Sequence, residues 1–286
     1  MWTSRPPSKQ NREMLLDFRL CRSLLFLPAS NPRAIEKARS LPADMIFLDL
    51  EDAVKPEEKD RARAAAIEAA AQGFGGRPVA IRVNKPGDPW YGEDLLAVAE
   101  SAADAVIFPK VQSADEVGRP AERARKPVLA MIETAAGVLD AHRIARVTEG
   151  LIAGTNDLSA ALGIPPGTPG RWGLFHALQT VVLAARAAGV PAFDGVYNGL
   201  DDAQGLEVEC REGRAFGFDG KTLIHPSQIE TCNRIFGPSD EEVESARRLL
   251  AVATGGAERF EGRMIESMHV EQARRLLKRA RAEGVS

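Results

Sequence analysis

Glu133 and Asp157 stand 24 positions apart, each just past a short apolar run. Glu133 closes Val128-Leu129-Ala130-Met131-Ile132, and Asp157 follows Leu151-Ile152-Ala153-Gly154-Thr155-Asn156. A helix-like stretch, Ala136 to Val147, lies between them. If the two runs are adjacent parallel strands, both carboxylates emerge at the same end of one sheet. Two hard oxygen ligands held that way leave coordination positions for water and substrate, which suits Mg²⁺ acting as a Lewis acid in an enzyme. Zinc is a poorer match, because His142, His176, His225 and His269 show no paired ligand spacing. Lys110 admits a different chemistry, a Schiff base. That needs a depressed amine pKa, and nearby carboxylates favour the charged amine instead.

Such residues need a scaffold that gathers strand ends. The chain repeats one unit: a short β-rich run, a polar loop, an amphipathic helix. The pattern predicts strands over Ser23–Leu27, Met45–Leu50, Val79–Val83, Ala105–Pro109, Val128–Ile132, Gly150–Ala153, Ala192–Val196 and Thr222–Ile224. Helices are predicted over Pro32–Leu41, Glu57–Ala71, Ala114–Arg125, Ala136–Val147 and Trp172–Ala188, the first opened by Asn31 as cap and Pro32 as first-turn proline. Eight strands alternating with helices suggest an α/β fold, a (β/α)₈ TIM barrel, which typically takes ~250 residues. A doubly wound open sheet is the rival, since a strand count does not show closure. The expected division is an N-terminal tail over 1–20, the barrel over 21–236 and a C-terminal helical extension or lid over 237–286.

The polar residues favour the barrel. Glu51 and Asp52 follow the second run, Arg82 and Asn84 fall at the end of the third, Lys110 ends the fourth, Glu133 the fifth, Asn156 and Asp157 the sixth, and His225 the eighth. Wet loops account for any one charge after a strand, but poorly for an Arg and several carboxylates at successive strand ends, where a TIM barrel builds its active site. Acidic metal ligands with an Arg favour a reaction that develops negative charge on oxygen, as aldol or Claisen cleavage does.

Bulk properties exclude other classes. With 286 residues, 44% of them hydrophobic, the chain can bury a full core. A net charge of −3 gives no electrostatic case for nucleic acid or an anionic membrane. No apolar run approaches the ~20 residues needed to span a bilayer. Residues 1–20 lack the apolar core of a signal peptide, and Cys21, Cys210 and Cys232 suggest neither a disulfide framework nor zinc, so a cytoplasmic protein is expected. After the barrel, Ser239-Asp240-Glu241-Glu242 has capping-box form and opens a helix to about Val252. Gly255-Gly256 then makes a hinge before Phe260–Glu266 and a basic helix from about Val270 to Arg281.

At these residues the chain resembles a known family. Arg22-Ser23-Leu24-Leu25-Phe26-Leu27-Pro28, Phe47-Leu48-Asp49-Leu50-Glu51-Asp52-Ala53-Val54, Ile81-Arg82-Val83-Asn84, Met131-Ile132-Glu133-Thr134, Gly154-Thr155-Asn156-Asp157-Leu158 and Gly220-Lys221-Thr222-Leu223-Ile224-His225-Pro226 look like the HpcH/HpaI aldolase and citrate lyase family. The likeness is closest to the citrate lyase β subunit and its stand-alone relatives, malyl-CoA lyases among them. The resemblance implies a TIM barrel, bound Mg²⁺, and cleavage of a 3-hydroxyacyl thioester of citryl or malyl type to an acetyl thioester and a 2-oxo acid such as oxaloacetate or glyoxylate. It implies Glu133 and Asp157 as metal ligands, and Arg82 as the substrate and enolate contact. Glu51 and Asp52 would hold metal-bound water and Arg82, with plain ion pairing at the mouth as the alternative. Arg22 and His225 correspond to positions near the thioester carrier, which is CoA or an acyl carrier protein; for Arg22 a solvated surface charge fits as well. A homo-oligomer, a trimer, is also implied.

One departure stands out. The family tail usually carries an Asp after Met-Ile, followed shortly by Pro, whereas here Met264-Ile265 is followed by Glu266. In malyl-CoA lyases that Asp is proposed to act in acid–base chemistry from a neighbouring subunit. Glu266 keeps the carboxylate one methylene further out, so it serves as the base, or the chain favours another substrate or a hydrolytic outcome, or it is a surface acid on a packing tail. Two other readings stay open: a carrier-independent aldolase of 4-hydroxy-2-oxo acids, and a subunit active only inside a citrate lyase complex with its acyl carrier.

Overall fold

A computed structural model of the chain describes residues 17–254 and 256–282. Eight parallel strands close in sequence order: β1 (Ser23–Pro28), β2 (Met45–Asp49), β3 (Val79–Arg82), β4 (Ala105–Phe108), β5 (Val128–Ile132), β6 (Gly150–Ala153), β7 (Ala192–Asp194) and β8 (Gly220–Leu223). Closure rules out the open sheet, since β1 pairs with β8 through Ser23↔Lys221, Leu24↔Thr222 and Leu25↔Leu223. Around the barrel run α1 (Pro32–Ala38), α2 (Lys59–Gln72), α3 (Tyr91–Glu100), α4 (Ala114–Ala124), α5 (Ala135–Leu139), α6 (Ala141–Ala145), α7 (Thr155–Ala161), α8 (Phe175–Ala188), α9 (Ala203–Phe216) and α10 (Ile229–Phe236).

The two-residue period of the strands makes two cores. Leu24, Phe47, Ile107, Met131 and Phe193 fill the barrel interior, while Leu25, Leu48, Ile81 and Val106 face the helices. Continued to the strand ends, the inward parity delivers Phe26, Asp49, Arg82 and Glu133 to the mouth. The opposite end is plugged by Phe18, from a 3₁₀ turn over Phe18–Leu20, so part of the expected tail belongs to the core. The rest of that tail lies outside the described residues, as does Gly255 of the expected hinge.

Local signals set several boundaries. The Asn31 side chain accepts the Ala34 N–H and Pro32 opens α1. Ser239 and Glu242 form the expected capping box of α11 (Asp240–Val252). The single helix expected over Ala136–Val147 is instead α5 and α6. Asp140, between them, leaves helical geometry at φ −100°, ψ 7° and accepts the Ala114 N–H at 2.9 Å, tying this break to the start of α4. Beyond α11, a hairpin of β9 (Glu258–Phe260) and β10 (Arg263–Ile265) leads to α12 (Ser267–Ala282), which packs along α11. Far along α12, Lys278 pairs with Asp17 at 3.1 Å and Arg279 donates to the Asp219 carbonyl. Among the described residues no helix is long and apolar enough to cross a membrane.

Candidate active site

β2 and β3 build the half of the mouth that carries Arg82. Asp49 and Arg82 are register partners, and their side chains meet bidentately, Arg82 Nε to Asp49 Oδ1 at 2.6 Å and Nη2 to Oδ2 at 2.7 Å. The same carboxylate accepts the backbone N–H groups of Glu51 and Ala53. One buried aspartate thus aims the guanidinium and shapes the loop that carries Glu51 and Asp52. Arg82 lies with its Cζ 4.8 Å above the Phe26 ring, and its Nη1 is 3.2 Å from Glu51 Oε2. Burial works against its charge, but Asp49, Glu51 and Glu133 outweigh that and hold it protonated.

Behind the loop, buried Lys59 donates to the carbonyls of Leu50 (2.7 Å) and Glu51 (2.8 Å) and to Asn84 Oδ1 (2.6 Å). Asn84 in turn donates to Asp94 from its backbone and its amide. The strand-end Asn84 therefore braces the loop rather than lining the cavity.

β5 and β6 build the acidic half. Glu133 is 2% exposed and accepts the Lys110 backbone N–H at 2.6 Å. Burial pushes its carboxyl up to about 7, with Arg82 and the Lys110 N–H opposing and Asp157 and Glu51 adding to the rise. Gly154 makes room for it, because a Cβ there would overlap both Glu133 Cβ and Oε2. Asp157 sits in the first turn of α7, partly exposed. Thr134 follows Glu133 directly and caps α5 by accepting the Gly137 N–H, so the chain turns away at once and leaves Glu133 facing inward.

Glu133, Asp157, Arg82 and Asp52 line one cavity of about 270 Å³, with Phe26, Met131 and Ile224 among its apolar walls. Lys110 projects its amine over the acidic rim: Nζ is 2.5 Å from Glu51 Oε1, 3.0 Å from Asp52 Oδ2 and 4.0 Å from Asp157 Oδ1. Burial alone would lower this amine, yet its bonds to Glu51 and Asp52 raise it above the ordinary lysine range. A nucleophilic Schiff-base amine needs the reverse. The two acids on the β2 loop are driven apart. Burial raises Glu51 against the pull of Arg82 and Lys110; in Asp52 burial acts the same way, but Lys110 wins and the carboxyl is lowered.

The donors fit Mg²⁺. Glu133 and Asp157 offer hard oxygens to one cavity, and among the described residues no group of three or more His, Cys, Asp or Glu gathers into an all-protein cage. A cation that keeps several waters matches two protein carboxylates. Glu51 Oε2 is buried, lies 3.2 Å from Arg82 Nη1, and has no hydrogen-bond partner among the described residues. Such an orphaned acceptor suits a metal-bound water.

Three expected site residues lie apart from the cavity. Arg22 precedes β1 and so sits at the barrel's N-terminal end, where it pairs with Asp44 at 2.8 Å; being at a strand start rather than a strand end, it is removed from the mouth. His225 is exposed after β8, capping a 3₁₀ turn and bonded to Ser227, and does not line the cavity. Glu266 opens the turn into α12, its N–H donating to His269 Nδ1, and is likewise not a lining residue. Conversely, Asp49 was not among the expected residues. Its signal is parity: it continues the inward positions Met45 and Phe47, where an acid needs a buried partner.

Comparison with known proteins gives the family. Residues 22–226 match the family model described as HpcH/HpaI aldolase/citrate lyase, and residues 170–285 match that of a C-C bond lyase of the TIM-barrel fold. A (3S)-malyl-CoA thioesterase of Cereibacter sphaeroides is 44% identical over 275 residues, spanning 91% of this chain and 95% of that protein. The citrate lyase subunit beta of Leuconostoc mesenteroides subsp. cremoris is 32% identical, spanning 92% and 94%. CitE from Mycobacterium tuberculosis, solved with magnesium, acetoacetate and coenzyme A, superposes with a TM-score of 0.79 at 36% identity over 92% of this chain and 99% of that one. The chain therefore belongs to the HpcH/HpaI aldolase/citrate lyase family, as an enzyme of the citrate lyase β type.

Proposed function

We propose that this enzyme cleaves the C–C bond of a 3-hydroxyacyl thioester of malyl or citryl type, giving an acetyl thioester and a 2-oxo acid. The observation that carries this is the buried Asp49–Arg82 clamp facing Glu133 and Asp157 across one small cavity. Fixed donors aimed into a low-dielectric pocket favour a transition state that gathers charge on oxygen. Mg²⁺ held by Glu133 and Asp157 would supply Lewis-acid polarisation of the hydroxy-acid oxygens. Asp52, kept ionised beside Lys110, accepts the hydroxyl proton. As the C–C bond breaks, its electrons move into the thioester carbonyl, and Arg82 holds the enolate oxygen that results. Protonation of the enolate carbon is assigned to Glu266, delivered from another copy in a homo-oligomer, a trimer by family resemblance. CoA is the favoured carrier, given the malyl-CoA relative and the coenzyme A bound to CitE.

A second reading is hydrolysis, favoured by the malyl-CoA thioesterase relative. The same Arg82 would then hold the oxyanion formed by water attack on the thioester. Incubation of the purified protein and Mg²⁺ with malyl-CoA, citryl-CoA and methylmalyl-CoA separates the two. Acetyl-CoA or its homologue with glyoxylate or oxaloacetate supports cleavage, free CoA with the hydroxy acid supports hydrolysis, and either should be lost in Arg82→Ala. Turnover of a free 4-hydroxy-2-oxo acid but of no thioester would overturn both readings.

A further inference from the structure

Five carboxylates, from Asp49, Glu51, Asp52, Glu133 and Asp157, gather at the mouth among three cations, Arg82, Lys59 and Lys110. Arg82 is taken up bidentately by Asp49. Lys59 directs its hydrogen bonds to two backbone carbonyls and Asn84. Among the described residues, Lys110 is the cation whose ion pairs reach acids on both sides of the opening: Glu51 and Asp52 from the β2 loop, and Asp157 from α7. Its backbone serves the same cluster. At φ +52° it occupies the left-handed region, a conformation that residues with a side chain rarely adopt, and from there its N–H reaches Glu133 Oε1.

We propose that Lys110 is the tethered counter-ion of this mouth, a residue whose ammonium offsets the charge of the acids and so sets how tightly Mg²⁺ is bound. The inference rests on the metal-site reading above. A merely structural ion pair and a counter-ion make opposite predictions. If Lys110 only placed the acids, removing its charge would scatter them and weaken Mg²⁺ binding. If its ammonium offsets the same negative charge that attracts the metal, removing it leaves that charge to the metal and tightens binding.

The test is calorimetric titration of the intact metal-free protein with MgCl₂ at pH 8, comparing wild type with Lys110→Met, Lys110→Arg and Glu133→Gln. Lys110→Met should bind about tenfold more tightly, the scale of one unit charge acting on a divalent ion ~5 Å away at water-like screening. Lys110→Arg, which keeps the charge, should stay near wild type. Heating should show the same order, with Mg²⁺ raising the melting temperature of Lys110→Met more than that of wild type. Should Lys110→Met fail to fold, Lys110→Asn carries the same expectation, since Asn tolerates positive φ. Unchanged or weaker binding by the neutral variant overturns the proposal. A wild type that binds no Mg²⁺, or a Glu133→Gln variant that binds as wild type does, instead overturns the metal-site reading and the proposal with it.

Discussion

Arg82 keeps its orientation at the floor of the mouth because Asp49 meets it with both oxygens while also accepting two N–H groups from the loop beyond. Asp49→Asn removes the charge at nearly constant shape. It should lower kcat/KM by roughly 100-fold, at the upper end of what loss of a supporting partner costs, while Mg²⁺ titration stays close to wild type. Parallel loss of metal binding would mean that Asp49 acts on the whole site instead of on Arg82. Glu133 gives a pH signature. Its carboxyl, raised to about 7 by burial, must be ionised to bind a cation, so Mg²⁺ affinity should fall about tenfold per unit once pH drops well below 7. The sign for stability is opposite. A folded value above the ordinary 4.5 means that this group's contribution is fully present below 4.5 and lost as pH rises through about 7. Melting temperature against pH with EDTA, and again with Mg²⁺, checks both, because the metal should remove the loss on the alkaline side. At this scale the gathering of Glu133, Asp157 and Arg82 at one end of the barrel was legible from their places at the ends of apolar runs. Asp49 was not, since the run was read on to Leu50, which made the acid an ordinary part of the strand.

The elements place these groups through close fits that a pattern of apolar residues does not disclose. Gly154 follows β6 against Glu133, and a methyl there would meet its side chain. Gly154→Ala should therefore leave the barrel folded, with a loss of roughly 1–3 kcal/mol from overpacking, and weaken Mg²⁺ binding by displacing Glu133. Denaturant unfolding together with calorimetry reads both; a variant with wild-type metal affinity would contradict the fit. All eight strands were legible because each combines an apolar run with a polar end, and their limits moved by no more than two residues. α3, α7, α9 and α10 were missed. In α9 the interior glycines 205 and 213 lower helix propensity, yet Gly213 has a packing reason: a side chain there would strike Asp194. That carboxylate is fully buried with Lys221 and Arg171 on the outer side of β7 and β8. A buried ion cluster of this kind depends on three distant segments, so no local window signals it.

At the scale of the molecule, the barrel brings five strand-end acids and an arginine to one opening, while the extension that carries Glu266 docks elsewhere on its own chain. If Glu266 serves the site of another copy, subunits defective at different places should complement each other. Mixing Arg82→Ala with Glu266→Ala chains under exchange conditions should restore part of the turnover that each lacks. Absence of any recovery, with mixed oligomers shown by mass, would leave Glu266 a surface acid. Closure of the barrel was signalled by the polar residues at successive strand ends, whereas the reach of a tail between copies depends on a surface that no periodicity encodes. The most direct test of the account is turnover of malyl-CoA by the purified protein as Mg²⁺ is varied, for wild type and for Glu133→Gln. The account predicts saturation with Mg²⁺, abolition by EDTA, and loss of at least about 100-fold in the variant. Undiminished turnover in chelated buffer, or a Glu133→Gln enzyme as active as wild type, would contradict it.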